Sequence, residues 1–319
     1  MSALRIAVVG AGHMGARHAE KVVRLGEADG SVTLSGVADL ASDRARRVAA
    51  RWGGRAAGAA SELYDEADAV IVAVPSASHF EVVQSALEAG NDVLVEKPIA
   101  ATLAQGEKLL DLGRRRRRIL QVGHSEWFNA AIRAVRGRIR APRFVEARRL
   151  GPFPERAADT DVVRDWMIHD LAILQQLVGE EPERIEAVGL RVVSDHVDVA
   201  SARIRFPGGC VANLTANRVS PSRKRSFRIF QSDGCISLDL LAQSGVVLRS
   251  ASQRNGEAPR LESEEFAVDP EDALLAQLRA FVEAVKTRVA PPLSAHEALG
   301  ALRTALRVVE AMDPLDDPR

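Results

Sequence analysis

The chain has 319 residues, 46% of them apolar, and its 43 basic side chains are matched by 43 acidic ones. That length predicts two domains, each with its own core, and the charge balance argues against a nucleic-acid footprint or an electrostatic membrane binder, both of which need a basic excess. Two cysteines, Cys210 and Cys235, are too few for a disulfide framework or a thiolate zinc site, the opening residues MSALRIAVVG lead us to expect no signal peptide, and the longest apolar run, Ala69 to Pro75, is far short of the ~20 residues that span a bilayer. The expectation is a cytoplasmic protein with reduced thiols, without a metal, a nucleic-acid partner or a membrane anchor.

Up to residue 121, β-branched runs alternate with helical stretches. Strands are predicted at Leu4–Val9, Val32–Ala38, Ala69–Val74, Val93–Val95 and Ile119–Val122, with helices between them, among them Ser76–Ala89 and Thr102–Arg115. Several of these strands are almost wholly apolar, as in a parallel sheet covered on both faces. Thr102-x-x-Gln105 reads as a capping box, and Arg114 to Arg118 as a solvated helix end that suits the carbonyl end of the dipole. The class is α/β, with a doubly wound Rossmann domain over residues 1–121.

The first strand runs into Gly10-Ala11-Gly12-His13-Met14-Gly15 and then a helix. The spacing alone is weak, but its placement fits a dinucleotide site. The first glycine permits the tight turn, the second lets a pyrophosphate approach, and the third packs helix on strand. The phosphates would meet the first amides of that helix, at His13 and Met14. Asp39 closes the second strand and suits the adenosine ribose hydroxyls, which favours NAD; Arg44 and Arg46 nearby weigh towards a 2′-phosphate, and a helix-capping role for Asp39 stays open. The run Val93–Val95 ends in Glu96-Lys97-Pro98, at the carboxyl end of a strand, where open α/β sheets bind ligands. Lysine is scarce here, five against 38 arginines, and unlike arginine it can shed its proton when desolvated. A surface Glu-Lys pair is the plainer alternative.

Beyond Gly123 the pattern changes. A helix over Glu126–Ile139 and a strand over Arg143–Leu150 lead through a Pro/Gly loop to a long helix, Asp161–Val178, closed by Gly179. It carries Asp165 and His169, one turn apart on one face. A carboxylate beside an imidazole orients it and raises its basicity, the arrangement of a general base. An exposed pair is an alternative, and a metal site would need a third ligand that the sequence does not supply. Strands follow at Arg184–Val193, Val197–Phe206, Cys210–Val219, Ser226–Gln231, Cys235–Leu240 and Gly245–Ser250, with turn signals at Pro207-Gly208-Gly209 and Asp233-Gly234. Ala200, Ala202, Ile204 and Phe206 alternate with Ser201, Arg203 and Arg205. That predicts an α+β domain over residues 122–319 with an open, mostly antiparallel sheet, one face under helices and the other available to an oligomer interface. Helices over Glu271–Arg288 and Ser294–Met312, the latter opened by Ser294-x-x-Glu297, close the chain, the last packing back on the first domain. His124, Arg149 and Arg218 are candidates to meet a diphosphate or uridine, with plain surface charge as the alternative for either arginine. Of the two histidines on the first helix, His13 and His18, only His13 has a reason to face a cofactor. Cys210 and Cys235 read as small buried hydrophobes.

GAGHMG, the loop from Pro75 to His79, Glu96-Lys97-Pro98 and Asp165-x-x-x-His169 occur in the order in which they resemble the Gfo/Idh/MocA (glucose–fructose oxidoreductase and inositol dehydrogenase) family, over essentially the whole chain. The resemblance implies an NAD-dependent dehydrogenase of CH–OH groups whose cofactor is held by Gly10, Gly12, His13, Met14, Gly15, Asp39, Pro75, His79, Glu96 and Lys97. It implies that Lys97, Asp165 and His169 converge on a sugar hydroxyl, that Glu96 contacts the nicotinamide ribose, that the Lys97–Pro98 bond is cis, and that the chain forms a homodimer or homotetramer. Val122-Gly123-His124 with Phe128-Asn129, Asp161-Val162-Val163, Met167-Ile168-His169-Asp170, and Cys210 to Thr215 with Arg218-Val219-Ser220 resemble the family's UDP-N-acetylglucosamine 3-dehydrogenases, which oxidise C3 ahead of an aminotransferase on the way to a 3-amino sugar of lipid A. Trp127, Ala130 and Ala172 depart from that group. A free sugar, a cyclitol or a UDP-uronic acid as substrate, and an NAD(H)-binding regulator without turnover, are the alternatives.

Overall fold

The structure, a computed structural model, describes residues 3–154, 160–251 and 260–313. Its contacts divide the chain into two units. One comprises residues to Ser125 with Asp272–Leu299, the other Glu126–Glu271 with residues from Gly300 onwards.

In the first unit the strands are β1 (Leu4–Val9), β2 (Val32–Ala38), β3 (Arg55–Ala57), β4 (Ala69–Val72), β5 (Asp92–Glu96) and β6 (Leu120–Gly123). They form an all-parallel sheet in the order β3-β2-β1-β4-β5-β6, the doubly wound order, with its switch point between β1 and β4. The helices are α1 (His13–Asp29), α2 (Ser42–Trp52), α3 (His79–Ala89) and α4 (Leu103–Arg116). Val8, Val70, Ile71 and Val93 have no exposed surface, which is why the strands read as continuous apolar runs rather than alternations. Thr102 caps α4 by accepting from the Gln105 amide at 3.3 Å. β3 has three residues, too few to show a period in the sequence.

The second unit opens with α5 (Ala130–Val135), β7 (Phe144–Leu150) and α6 (Ile168–Val178), and continues through β8 (Arg184–Leu190), β9 (Val199–Arg205), β10 (Val211–Asn217), β11 (Lys224–Gln231), β12 (Gly234–Asp239), β13 (Ser244–Ser250) and β14 (Leu261–Ala267). The expected helix over 126–139 is broken. A 3₁₀ turn, Ser125–Phe128, comes first, and Asn129 then starts α5 by accepting from the Ala131 amide at 3.0 Å while its Nδ2 donates to the Leu240 carbonyl. The expected helix over 161–178 begins instead as a π-helical turn, Val163–Met167, that runs into α6. β8 stops three residues early because the amides of Val192, Val193 and Ser194 turn onto the Asp198 carboxylate. β14 was not expected, since its charged, exposed residues (Glu262, Glu264, Glu265) hide an edge strand.

Two helices follow, α7 (Ala273–Thr287) and α8 (Ala295–Ala311), and then β15 (Met312–Asp313). The second sheet runs β14-β13-β12-β11-β7-β10-β9-β8-β15. It is mostly antiparallel, with β7/β10 and β8/β15 parallel. Ala200, Ala202 and Ile204 of β9 are buried while Ser201, Arg203 and Arg205 are exposed, the alternation expected of a sheet covered on one face.

The sequence places α7 in the second domain, but it belongs to the first unit. Leu278, Phe281, Val282 and Val285 join the cluster of Ile6, Val22, Leu25 and Ile71. Lys21 Nζ meets Asp272 at 2.8 Å, and Arg288 meets the buried Asp92 at 2.8 Å. Ser294 and Glu297 complete the capping box of α8 reciprocally, at 2.6 and 3.3 Å.

Candidate active site

β1 is buried, so the chain must turn sharply as it leaves the sheet. Gly10 takes φ +95°, and a Cβ there would lie 2.5 Å from the Ala73 carbonyl oxygen. A Cβ on Gly15 would overlap the Gly10 carbonyl, so glycine there is what lets α1 close onto the turn. Around Gly12 a Cβ would meet nothing within 4 Å. Packing therefore does not explain Gly12; open space beside the start of α1 does. No side chain caps α1, and its first amides point at that space. Met14 is half-buried and His13 exposed.

Asp39, just past the end of β2, braces this turn. Its Oδ2 accepts from the Ala11 amide at 2.7 Å and its Oδ1 from the Ala41 amide at 2.8 Å. Each carboxylate oxygen keeps acceptor capacity for a hydroxyl. Arg46 reaches back to Asp43 at 2.5 Å in a solvent-exposed pair. Turn, open amides and acceptor together fit a dinucleotide: the pyrophosphate at Gly12, His13 and Met14, and the adenosine ribose at Asp39.

The turn after β5 is held by buried histidines. His18 Nε2 lies 2.7 Å from Glu96 Oε1. His79 has both ring nitrogens on carbonyl oxygens, Nδ1 on Pro98 at 2.6 Å and Nε2 on Val74 at 3.0 Å. It thus clasps the end of β4 to the Lys97–Pro98 turn, whose peptide bond is cis, and its ring nitrogens are not offered to a cofactor. Burial pushes the His79 imidazole below its ordinary value despite those two carbonyls. Pro75, beyond the end of β4, is exposed, and Lys97 is half-buried. His124 is buried, and burial, aided by the Lys97 charge, pushes its imidazole down to about 4. It is neutral near pH 7 and brings no positive charge to a diphosphate. His18 was given no role from the sequence. It stands in the buried stripe Gly15, His18, Ala19, Val22, Leu25 of α1, and a histidine where the helical period calls for an apolar residue was the available signal.

In the second unit Asp165 lies on the π-helical turn and His169 in the first turn of α6; both are half-buried. This segment is anchored on two sides. Asp161 accepts from the Arg164 amide at 2.8 Å, and the Val162 amide donates to the Val197 carbonyl. Asp170, next to His169, takes a two-pronged bond from Arg149 at 2.8 and 3.0 Å. Arg149 also reaches Glu126, which binds Arg225 at 2.7 Å. Burial works against the Arg149 charge, but Asp170 and Glu126 outweigh it and raise its pKa. Arg218 has no exposed surface; it donates to Asp198 at 2.7 Å, the Thr160 carbonyl at 3.0 Å and Ser194 at 3.1 Å. Both guanidiniums are spent on the fold, so neither Arg149 nor Arg218 is carried forward as a substrate contact. Among the described residues no group of three His, Cys, Asp or Glu side chains could hold a metal, and no helix is long and apolar enough to cross a membrane.

A doubly wound sheet, a glycine turn against an open helix start and a carboxylate ending β2 define a dinucleotide-binding protein. Residues 4–124 match the model of the Gfo/Idh/MocA oxidoreductase family's NAD-binding Rossmann fold, and residues 130–237 that of the family's C-terminal domain. The chain is 35% identical, over 88% of each chain, to the UDP-N-acetylglucosamine 3-dehydrogenase of Acidithiobacillus ferrooxidans; that protein's solved structure superposes with a TM-score of 0.91, covering 98% of both chains. It is 26% identical, over 94% of its length and 93% of the relative's, to a myo-inositol 2-dehydrogenase of Thermotoga maritima. The chain belongs to the Gfo/Idh/MocA family and is an NAD-dependent oxidoreductase of CH–OH groups.

Proposed function

We propose that this oxidoreductase converts the 3-hydroxyl of UDP-N-acetylglucosamine to a ketone. What carries the proposal is the likeness to the Acidithiobacillus ferrooxidans dehydrogenase, which runs through both domains. NAD, when bound, supplies the hydride acceptor. His169 takes the proton of the hydroxyl whose carbon loses hydride, leaving a carbonyl. Asp165, four residues earlier, orients the imidazole and stabilises the charge it gains. Lys97 hydrogen-bonds the same oxygen and stabilises the charge developing there. Gly10, Gly12, Gly15 and the start of α1 seat the pyrophosphate, Asp39 the adenosine ribose and Glu96 the nicotinamide ribose, with Pro75 placed for a further cofactor contact.

The polar face of the nine-stranded sheet pairs copies of the chain into a homodimer or homotetramer. The 3-keto product is the kind of substrate an aminotransferase takes, on the way to a 3-amino sugar of lipid A, and the enzyme works in the cytoplasm, where nucleotide sugars and NAD meet.

Purified protein with NAD and a ketone-trapping reagent is offered UDP-N-acetylglucosamine, UDP-glucose, free N-acetylglucosamine and myo-inositol in parallel, and NADH absorbance is followed. NADH is expected with UDP-N-acetylglucosamine, and product analysis then places the ketone at C3. Turnover of a free sugar or myo-inositol alone removes the nucleotide-sugar assignment. Binding of NADH without turnover of any of them overturns the substrate assignment and favours the reading of an NAD(H)-binding regulator.

A further inference from the structure

Asp39 and Glu96 stand at equivalent places in the two halves of the first unit's sheet. β1-β2-β3 and β4-β5-β6 are the two mononucleotide-binding halves of a doubly wound fold. Asp39 follows the middle strand of the first half, and Glu96 ends the middle strand of the second. A carboxylate at the carboxyl end of β2 receives the hydroxyls of the first ribose, so the same position on β5 suits the second. The two are braced differently. Asp39 is held by backbone amides, whereas Glu96 is held by a side chain, His18 of α1.

His18 is 1% exposed. With its proton on Nε2 the imidazole donates to Glu96 Oε1, and Nδ1, which has no hydrogen-bond partner among the described residues, is left as an acceptor. That tautomer strands no buried N–H. On the other side of the carboxylate is Gly123, where a Cβ would sit 3.0 Å from Oε2 and 3.1 Å from Cδ. The carboxylate is therefore pinned at one oxygen and bounded at the other by a residue with no side chain. Burial opposes the Glu96 charge, but the hydrogen bond from His18, helped by the Lys97 charge, outweighs it and holds the carboxyl below its usual range.

We propose that His18 is a positioning residue for the nicotinamide ribose, acting through Glu96, and that it ties the helix receiving the pyrophosphate to the carboxylate receiving the second ribose. The proposal rests on the reading that this domain seats NAD in the doubly wound manner.

The test uses the full chain, as wild type, His18→Leu and His18→Gln. Each is titrated with NADH by fluorescence and with 5′-AMP by calorimetry, and its KM for NAD is measured. AMP occupies only the Asp39 half. His18→Leu is expected to weaken NADH binding about tenfold, the loss of a charge-assisted hydrogen bond, and to raise KM for NAD, with AMP binding unchanged. Glutamine carries its amide nitrogen where imidazole carries Nε2, so His18→Gln is expected to return NADH affinity to within about threefold of wild type. Unchanged NADH affinity in His18→Leu overturns the proposal. So does an equal loss of NADH and AMP that glutamine does not restore, since that marks a merely structural histidine. If His18→Leu does not fold, His18→Asn, polar but too short to reach Glu96, takes its place under the same criteria. Wild type that binds AMP but not NADH sinks the cofactor reading itself, and this proposal with it.

Discussion

At the scale of single residues, His124 makes a prediction that involves no ligand. It is buried beside the Lys97 charge, and its pKa falls from 6.5 to about 4. An unfolded chain takes up that proton below pH 6.5, whereas the folded chain refuses it until about 4. Stability is therefore complete above pH 6.5 and drains as pH falls between those values. One group with this shift removes on the order of 2–3 kcal/mol by pH 4.5. His124→Asn should flatten the curve: its urea midpoint should fall less than wild type's between pH 7 and pH 4.5. Parallel curves would show that another group controls acid unfolding. The chemical residues make a kinetic prediction. His169→Ala and Lys97→Ala should each lower kcat by about 10²–10⁴, the range for a lost proton acceptor or oxyanion donor, with melting temperatures near wild type because both side chains are only half-buried. Losses below tenfold in both would remove them from the reaction.

At the scale of elements, the turn into α1 separates two uses of glycine. Gly15→Ala puts a methyl into the Gly10 carbonyl, so α1 must lift from β1, and the variant should melt several degrees lower or fail to fold. Gly12→Ala meets no protein atom within 4 Å. It should melt like wild type yet lose NADH binding, because its methyl fills the space the pyrophosphate needs. Thermal melts and NADH titrations of the two variants check this. A Gly12→Ala that binds normally would show that the phosphates lie elsewhere. This motif was legible in the sequence because each glycine answers a local constraint, and the apolar strands were legible because both faces of the first sheet are covered. What the sequence hid was decided at a distance. Asn129 breaks a helix-like stretch through its own cap and through Leu240, far along the chain. Arg149 and Arg218 look like ligands for anions until the buried carboxylates of Asp170, Glu126 and Asp198 are seen around them. His18 acquires its partner 78 residues away.

At the scale of the whole molecule, the chain is not two consecutive domains. It leaves the first unit after Ser125, returns at Asp272, and passes again to the second at Gly300. The returning segment is structural for the Rossmann unit. α7 places Leu278, Phe281, Val282 and Val285 against Val22, Leu25 and Ile71, while Arg288 neutralises Asp92 and Asp272 neutralises Lys21, both buried. Four such side chains at about 1.5–3 kcal/mol each amount to roughly 6–12 kcal/mol, which matches the whole stability of a typical domain, about 5–15 kcal/mol. A fragment ending at Ser125 carries every glycine, strand and carboxylate of the cofactor site, yet it should not fold. It should bind the dye ANS, lack a near-UV circular dichroism signal, and fail to bind NADH. Joining residues 270–300 to its end through a flexible linker should restore cooperative urea unfolding and NADH binding together, because the linker returns the buried partners of Lys21 and Asp92 along with the apolar face. If the short fragment unfolds cooperatively and binds NADH unaided, α7 is dispensable and the Rossmann unit ends where the sequence first suggested.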